Sequence, residues 1–144
     1  MPDPLGAPGV THTFESLGGV TIGTRLVLPK VGEPRGAVVS VHGYGMGGAE
    51  PMDDAGPWSA PPIAALKIRL RGYPGSLRET GDLTAHPSGY ITHGLESPMD
   101  EWIVPKAAAD VVNAYRALRA HFGPEVPIAF HGHSLGGAMS VIAG

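Results

Sequence analysis

The chain contains no cysteine, which excludes disulfides, thiolate metal sites and a cysteine nucleophile together. It also lacks any basic run or stripe. Its 10 Lys and Arg stand against 13 Asp and Glu, for a formal charge of -3, and that balance suits neither a nucleic acid nor an anionic membrane as partner. No apolar run is long enough to span a bilayer. The opening Met1-Pro2-Asp3-Pro4 has neither the basic region nor the apolar region of a secretory signal. A cytoplasmic location is the expectation that follows.

What is present describes one globular domain: 144 residues, 42% hydrophobic, enough to bury a core. The 22 Gly and 15 Pro fall between apolar runs rather than in a repeat, so they mark turns. Residues 1–10 read as a loose lead-in. Thr11–Glu15 and Val20–Leu28 alternate across Gly18-Gly19 and predict an antiparallel hairpin. Ala37–Val41 is a nearly continuous apolar run of the kind buried on both faces of a parallel sheet, and Ala64–Leu70 and Val126–Phe130 read the same way. Prolines 51, 57, 61 and 62 allow only a short or broken helix between the first two, and residues 72–94 read as a long surface excursion.

Ser97 or Asp100 is placed to cap a helix running to about His121, with Gly123 as its stop. Val104, Ala108, Val111, Tyr115, Leu118 and Phe122 form its predicted apolar face, while Asp110, Arg116 and Arg119 read as solvated. A last helix is predicted over Leu135–Ala143. This alternation of strands and crossovers predicts an α/β domain with a parallel sheet and an N-terminal antiparallel hairpin.

The strongest local signal is Gly132-His133-Ser134-Leu135-Gly136-Gly137, a G-x-S-x-G between a strand and a helix. A nucleophilic serine in such a turn projects from a strained backbone, and side chains two residues before and after it would collide, hence Gly132 and Gly136. The helix that follows aims its N–H groups at the place where negative charge develops. The second signal is His42-Gly43-Tyr44-Gly45 after the Ala37–Val41 strand. In serine hydrolases of this architecture, the loop after the third strand gives one oxyanion donor and the residue after the nucleophile gives the other. The expected donors here are the backbone amides of Tyr44 and Leu135.

The same loop also satisfies G-x-G-x-x-G at Gly43, Gly45 and Gly48, with Arg69 and Arg71 near the next strand end where the 2′-phosphate of NADP is met. That reading needs a helix to open at once, and Glu50-Pro51 opposes it. His131 and His133 lie two apart on a strand, but Ser134-Leu135-Gly136 offers no further ligand, so no metal and no cofactor are expected. His12, His86, His93 and His121 read as surface residues. Trp58, Tyr73 and Trp102 are candidates for pocket walls.

On these motifs the chain resembles the acetyl xylan esterase and cephalosporin C deacetylase family of α/β-hydrolases. The likeness rests on the H-G-Y-G loop at His42, the R-G turn at Arg71-Gly72 and the G-x-S-x-G-G turn at Ser134. Gly89–Leu95, followed by Asp100 and the helix, is similar to the segment before that family's serine. The resemblance implies the N-terminal half of an α/β-hydrolase domain across residues 1–144. It also implies deacetylation of small acetylated sugars or antibiotics through an acyl-enzyme on Ser134, often in a ring-shaped homo-oligomer. Two departures stand out: Tyr73 occupies a position usually held by Gln, and Leu135 another.

The triad of this fold runs Ser, then Asp or Glu, then His along the chain. No acidic residue and no histidine follows Ser134. Without a base, a serine hydroxyl is a poor nucleophile near neutral pH. The expectation is a chain that ends just after the serine turn and is inactive, or nearly so, by itself. The alternative is a short α/β domain that binds ligands or partners without catalysis.

Overall fold

A computed structural model of the chain describes residues 5, 7–44, 62–73 and 95–144. Strands β1 (Thr11–Glu15) and β2 (Thr21–Val27) form the hairpin, with Thr11 opposite Arg25 and Glu15 opposite Thr21. The turn between them is a 3-10 segment, Leu17–Gly19, in which Gly18 and Gly19 take φ of 77° and 75°. Only glycine holds two successive positive φ values without steric cost, which fixes the hairpin where Gly18-Gly19 predicted it.

Strands β3 (Gly36–Val41), β4 (Ile63–Ile68) and β5 (Ile128–Gly132) follow, with helix α1 (Ile103–Phe122) before β5 and helix α2 (Leu135–Ala143) after it. The sheet order is β1-β2-β4-β3-β5. β3 lies parallel to both β4 and β5, whereas β2 joins β4 antiparallel. Ala37, Val38 and Val39 of β3 and Ala64, Ala65 and Leu66 of β4 are buried in unbroken succession. Burial on both faces is why their sequences run apolar without alternation. The predicted broken helix between the prolines, and residues 74–94 of the predicted 72–94 excursion, lie outside the described residues.

Helix α1 starts one residue after Trp102, which is extended as its N-cap, and Pro105 falls in the first turn, where its missing N–H is harmless. Gly123 ends it with φ of 81°. Its buried face comprises Ile103, Ala107, Ala108, Asp110, Val111, Ala114 and Leu118. Val104, Tyr115 and Phe122 only pack against the core's margin. Ala108, Val111 and Leu118 of the predicted face are thus buried, and Ile103, Ala107 and Ala114 widen that face beyond the prediction, because alanines carry little hydrophobic signal. Two expectations are corrected here: the helix is preceded by Trp102 as N-cap, without a side-chain cap, rather than by Ser97 or Asp100, and Asp110, expected on a solvated face, is 0% exposed.

The core joins Ile22, Leu26, Val39, Val41, Leu66 and Ile68 of the sheet to Val111, Ala114 and Leu118 of α1 and Met139 of α2. β5 forms one edge of the described sheet, with Ala129 and His131 exposed. Beside it α2 leaves Val141 82% and Ile142 58% exposed. Among the described residues, no helix is long and apolar enough to cross a membrane.

Candidate active site

The carboxyl ends of β3 and β5 are neighbours in the sheet, so the segments that follow them meet. Ser134 follows β5 and is the N-cap of α2, with φ 53° and ψ -115°. Among the described residues it is the one non-glycine with positive φ. Holding a serine there costs on the order of 1–3 kcal/mol, which the surrounding structure must offset. Two close approaches enforce it. A Cβ on Gly132 would collide with the Gly136 carbonyl and lie 2.6 Å from the Gly137 nitrogen. A Cβ on Gly136 would collide with the Val41 carbonyl and lie 2.6 Å from the His42 oxygen. The first contact closes the turn on itself, and the second seats α2 on the end of β3. Gly136 N–H donates to the His133 carbonyl at 2.9 Å, and Ala138 N–H to the Ser134 carbonyl at 3.0 Å. Ser134 itself is exposed, and Leu135 is half-buried at the positive end of α2.

The segment after β3 is held by His42. The Leu70 N–H donates to His42 Nε2 at 3.1 Å, and His42 Nδ1 lies 2.8 Å from the Gly43 carbonyl. A backbone N–H can only donate, so Nε2 is the acceptor and the ring proton sits on Nδ1, donating to Gly43. Tyr73 packs edge-on against this imidazole, with centroids 4.4 Å apart and planes at 69°. Gly43 is buried and Tyr44 exposed. Tyr73, read from sequence as a pocket wall, is 1% exposed, so its place is behind the loop. Trp102 is half-buried and donates its indole N–H to the Ser97 carbonyl at 2.9 Å. Trp58, Gly45, Gly48, His86 and His93 lie outside the described residues.

Arg71, the first residue after Leu70, is buried and forks onto Asp110: Nε donates to Oδ2 at 2.8 Å and Nη2 to Oδ1 at 2.7 Å. Arg71 Nη2 also donates to the Leu17 carbonyl at 3.1 Å. Ser16 donates to Asp110 Oδ1 at 2.5 Å and accepts from Asn113 Nδ2 at 3.0 Å. This cluster ties the hairpin turn, the end of β4 and the middle of α1 together. It also speaks against Arg71 in the dinucleotide reading, because the side chain is buried and its Nε and Nη2 already serve Asp110. His131 Nδ1 stands 3.5 Å from Ser40 Oγ on the neighbouring strand, and both His131 and His133 are exposed. Among the described residues, no three His, Asp or Glu side chains converge as metal ligands would. Sequence reasoning missed His42 as an anchor and Asp110 as a core ion; the positional signal for Asp110 was its place between Ala107 and Ala114 on the small-residue face.

The strand order, with α1 and α2 packed on the sheet and on each other, is that of an α/β-hydrolase, and the chain corresponds to that fold's N-terminal half. The chain belongs to the acetyl xylan esterase family: the family's sequence profile, acetyl xylan esterase (AXE1), matches residues 9–144. The acetyl xylan esterase from Paenibacillus sp. R4 superposes with a TM-score of 0.72 at 24% identity, over 92% of this chain and 43% of that one. Acetyl xylan esterase 1 from Thermoanaerobacterium sp. JW/SL YS485 gives 0.68 at 23% identity, over 92% and 42%. An alpha-beta serine hydrolase homologue from Coxiella burnetii gives 0.64 at 13% identity, over 94% and 57%. This chain thus spans less than half the length of the two esterases. No curated protein matches it.

Proposed function

We propose that Ser134 is the nucleophile of a serine carboxylic-ester hydrolase that deacetylates small acetylated substrates. The observation that carries this reading is the strained Ser134 backbone at the head of α2, seated by Gly136 on the loop after β3. Family membership supports the ester chemistry, and the acetyl xylan esterases of similar fold support an acetylated carbohydrate as substrate class.

In this mechanism Ser134 Oγ attacks the acetyl carbonyl while a histidine from outside residues 1–144 takes its proton. The carbon becomes tetrahedral, and the N–H groups of Tyr44 and Leu135 hold its oxyanion. Loss of one such donor costs about 3 kcal/mol in the transition state. The sugar alcohol leaves with the proton, and the acetyl group stays on Ser134. Water, deprotonated by the same histidine, then releases acetate and restores the serine. His42 does not compete for the role of base, since Leu70 N–H occupies its Nε2 and Gly43 its Nδ1 proton.

The test is p-nitrophenyl acetate hydrolysis by this chain fused to the C-terminal part of the Paenibacillus esterase, the part it does not cover. Turnover should fall by about a thousandfold or more in Ser134→Ala. A fusion enzyme whose rate ignores that substitution would remove Ser134 from the chemistry.

A further inference from the structure

We propose that His42 is a positioning residue, a neutral clasp that fixes the backbone of Gly43 and Tyr44 beside the serine turn. The proposal rests on the reading of Tyr44 as an oxyanion donor. Nothing in the sequence assigns the histidine more than membership of the His-Gly pair, but its atoms reach three separate parts of the fold. Its carbonyl abuts Gly136 in the first turn of α2, so close that a methyl group there would lie 2.6 Å away. Its Nε2 receives the Leu70 N–H beyond the end of β4. Its Nδ1 proton goes to the carbonyl of Gly43, the residue whose peptide carries the Tyr44 N–H.

That last bond is the one that matters for chemistry. The Gly43 carbonyl and the Tyr44 N–H belong to the same planar peptide group. Fixing the oxygen therefore fixes the direction of the N–H on its opposite side. An oxyanion donor works only if it is aimed before charge develops, and the clasp supplies that aim from within this chain. The imidazole must be neutral with its proton on Nδ1, because the Leu70 N–H leaves no room for a proton on Nε2. Tyr73, at the position where the family usually has Gln, lays its ring edge-on to the imidazole at 4.4 Å and closes the buried side. Arg71, locked to Asp110, holds the turn that presents Tyr73.

The proposal is tested on the 144-residue chain, labelled with nitrogen-15 and read without turnover. The wild-type His42 ring should show a protonated-type signal at Nδ1 and an unprotonated-type signal at Nε2, with a coupling across the hydrogen bond to the Leu70 amide. In His42→Phe, which keeps a ring against Tyr73, Leu70 exchange should quicken roughly tenfold, the worth of one hydrogen bond. The Tyr44 amide order parameter should fall from about 0.85 towards about 0.6, while amides in the middle of α1 keep theirs. A wild-type ring protonated at Nε2 would overturn the clasp. So would a folded His42→Phe chain with unchanged Leu70 exchange and Tyr44 order. If His42→Phe does not fold, the wild-type ring spectrum decides alone. None of these readouts involves Ser134, so failure of the esterase reading would leave them standing.

Discussion

At Ser134 and its two flanking glycines, side-chain size and backbone conformation are one constraint. The serine occupies φ 53° because Gly132 and Gly136 let the strand end and the first turn of α2 approach without a Cβ between them. Gly136→Ala should therefore destabilise the chain by about 1–3 kcal/mol, since the obstruction is backbone that cannot rotate away. Gly36→Ala is the matched control: its nearest atom would be the Pro127 oxygen at 3.5 Å, an ordinary contact, and its cost should stay within about 0.5 kcal/mol. Urea denaturation of the two variants distinguishes them, and equal costs would mean that the turn relaxes in a way the static geometry excludes. This part of the site was legible in sequence because it is local: six consecutive residues carry the strain, the glycines and the helix start. His42 was not, because its partners Leu70 and Tyr73 come together only when β3 and β4 pair.

At the scale of elements, the Arg71–Asp110 pair does for the tertiary structure what Gly18-Gly19 does for the hairpin. Asp110 sits at 0% exposure on the core face of α1 and Arg71 at 4% after β4. Removing one member strands the other in the interior, so Asp110→Ala should cost about 3–5 kcal/mol. Replacing both, Arg71→Met with Asp110→Leu, should cost clearly less than the two single changes added together. Thermal unfolding of the four proteins gives the coupling, and additive losses would show that the pair does not act as a unit. The sequence placed the strands and helices well, since period and turn residues are local properties. It drew the buried face of α1 too narrowly for a physical reason: small residues give little hydrophobic signal, and an ion such as Asp110 looks solvated until its partner, 39 residues away, is beside it.

At the scale of the whole molecule, β5 lies at an edge of the described sheet and α2 beside it exposes Val141 and Ile142. Val141→Asp, at a position 82% exposed, should change the stability of the 144-residue chain by no more than about 0.5 kcal/mol. A larger loss would place that side of α2 in a contact the described residues do not contain. Among the described residues, the hairpin and the α/β alternation were legible in sequence. Of the triad proposed for this fold only the serine could be assigned from sequence, because its order is Ser, acid, His and neither an acidic residue nor a histidine occurs in 135–144. The 144-residue chain alone should accordingly hydrolyse p-nitrophenyl acetate no faster than its Ser134→Ala variant, and a Ser134-dependent rate in the chain alone would show that it supplies its own base.

The central claim is that Ser134 takes the acyl group. It is tested most directly by treating the fusion enzyme with a fluorophosphonate, which forms a stable adduct on an activated serine, and locating the added mass on the peptide that contains Ser134. One adduct per chain, on Ser134 and absent from Ser134→Ala, is the predicted result. An adduct on a different residue, or a catalytically active fusion enzyme that carries none, would contradict the account.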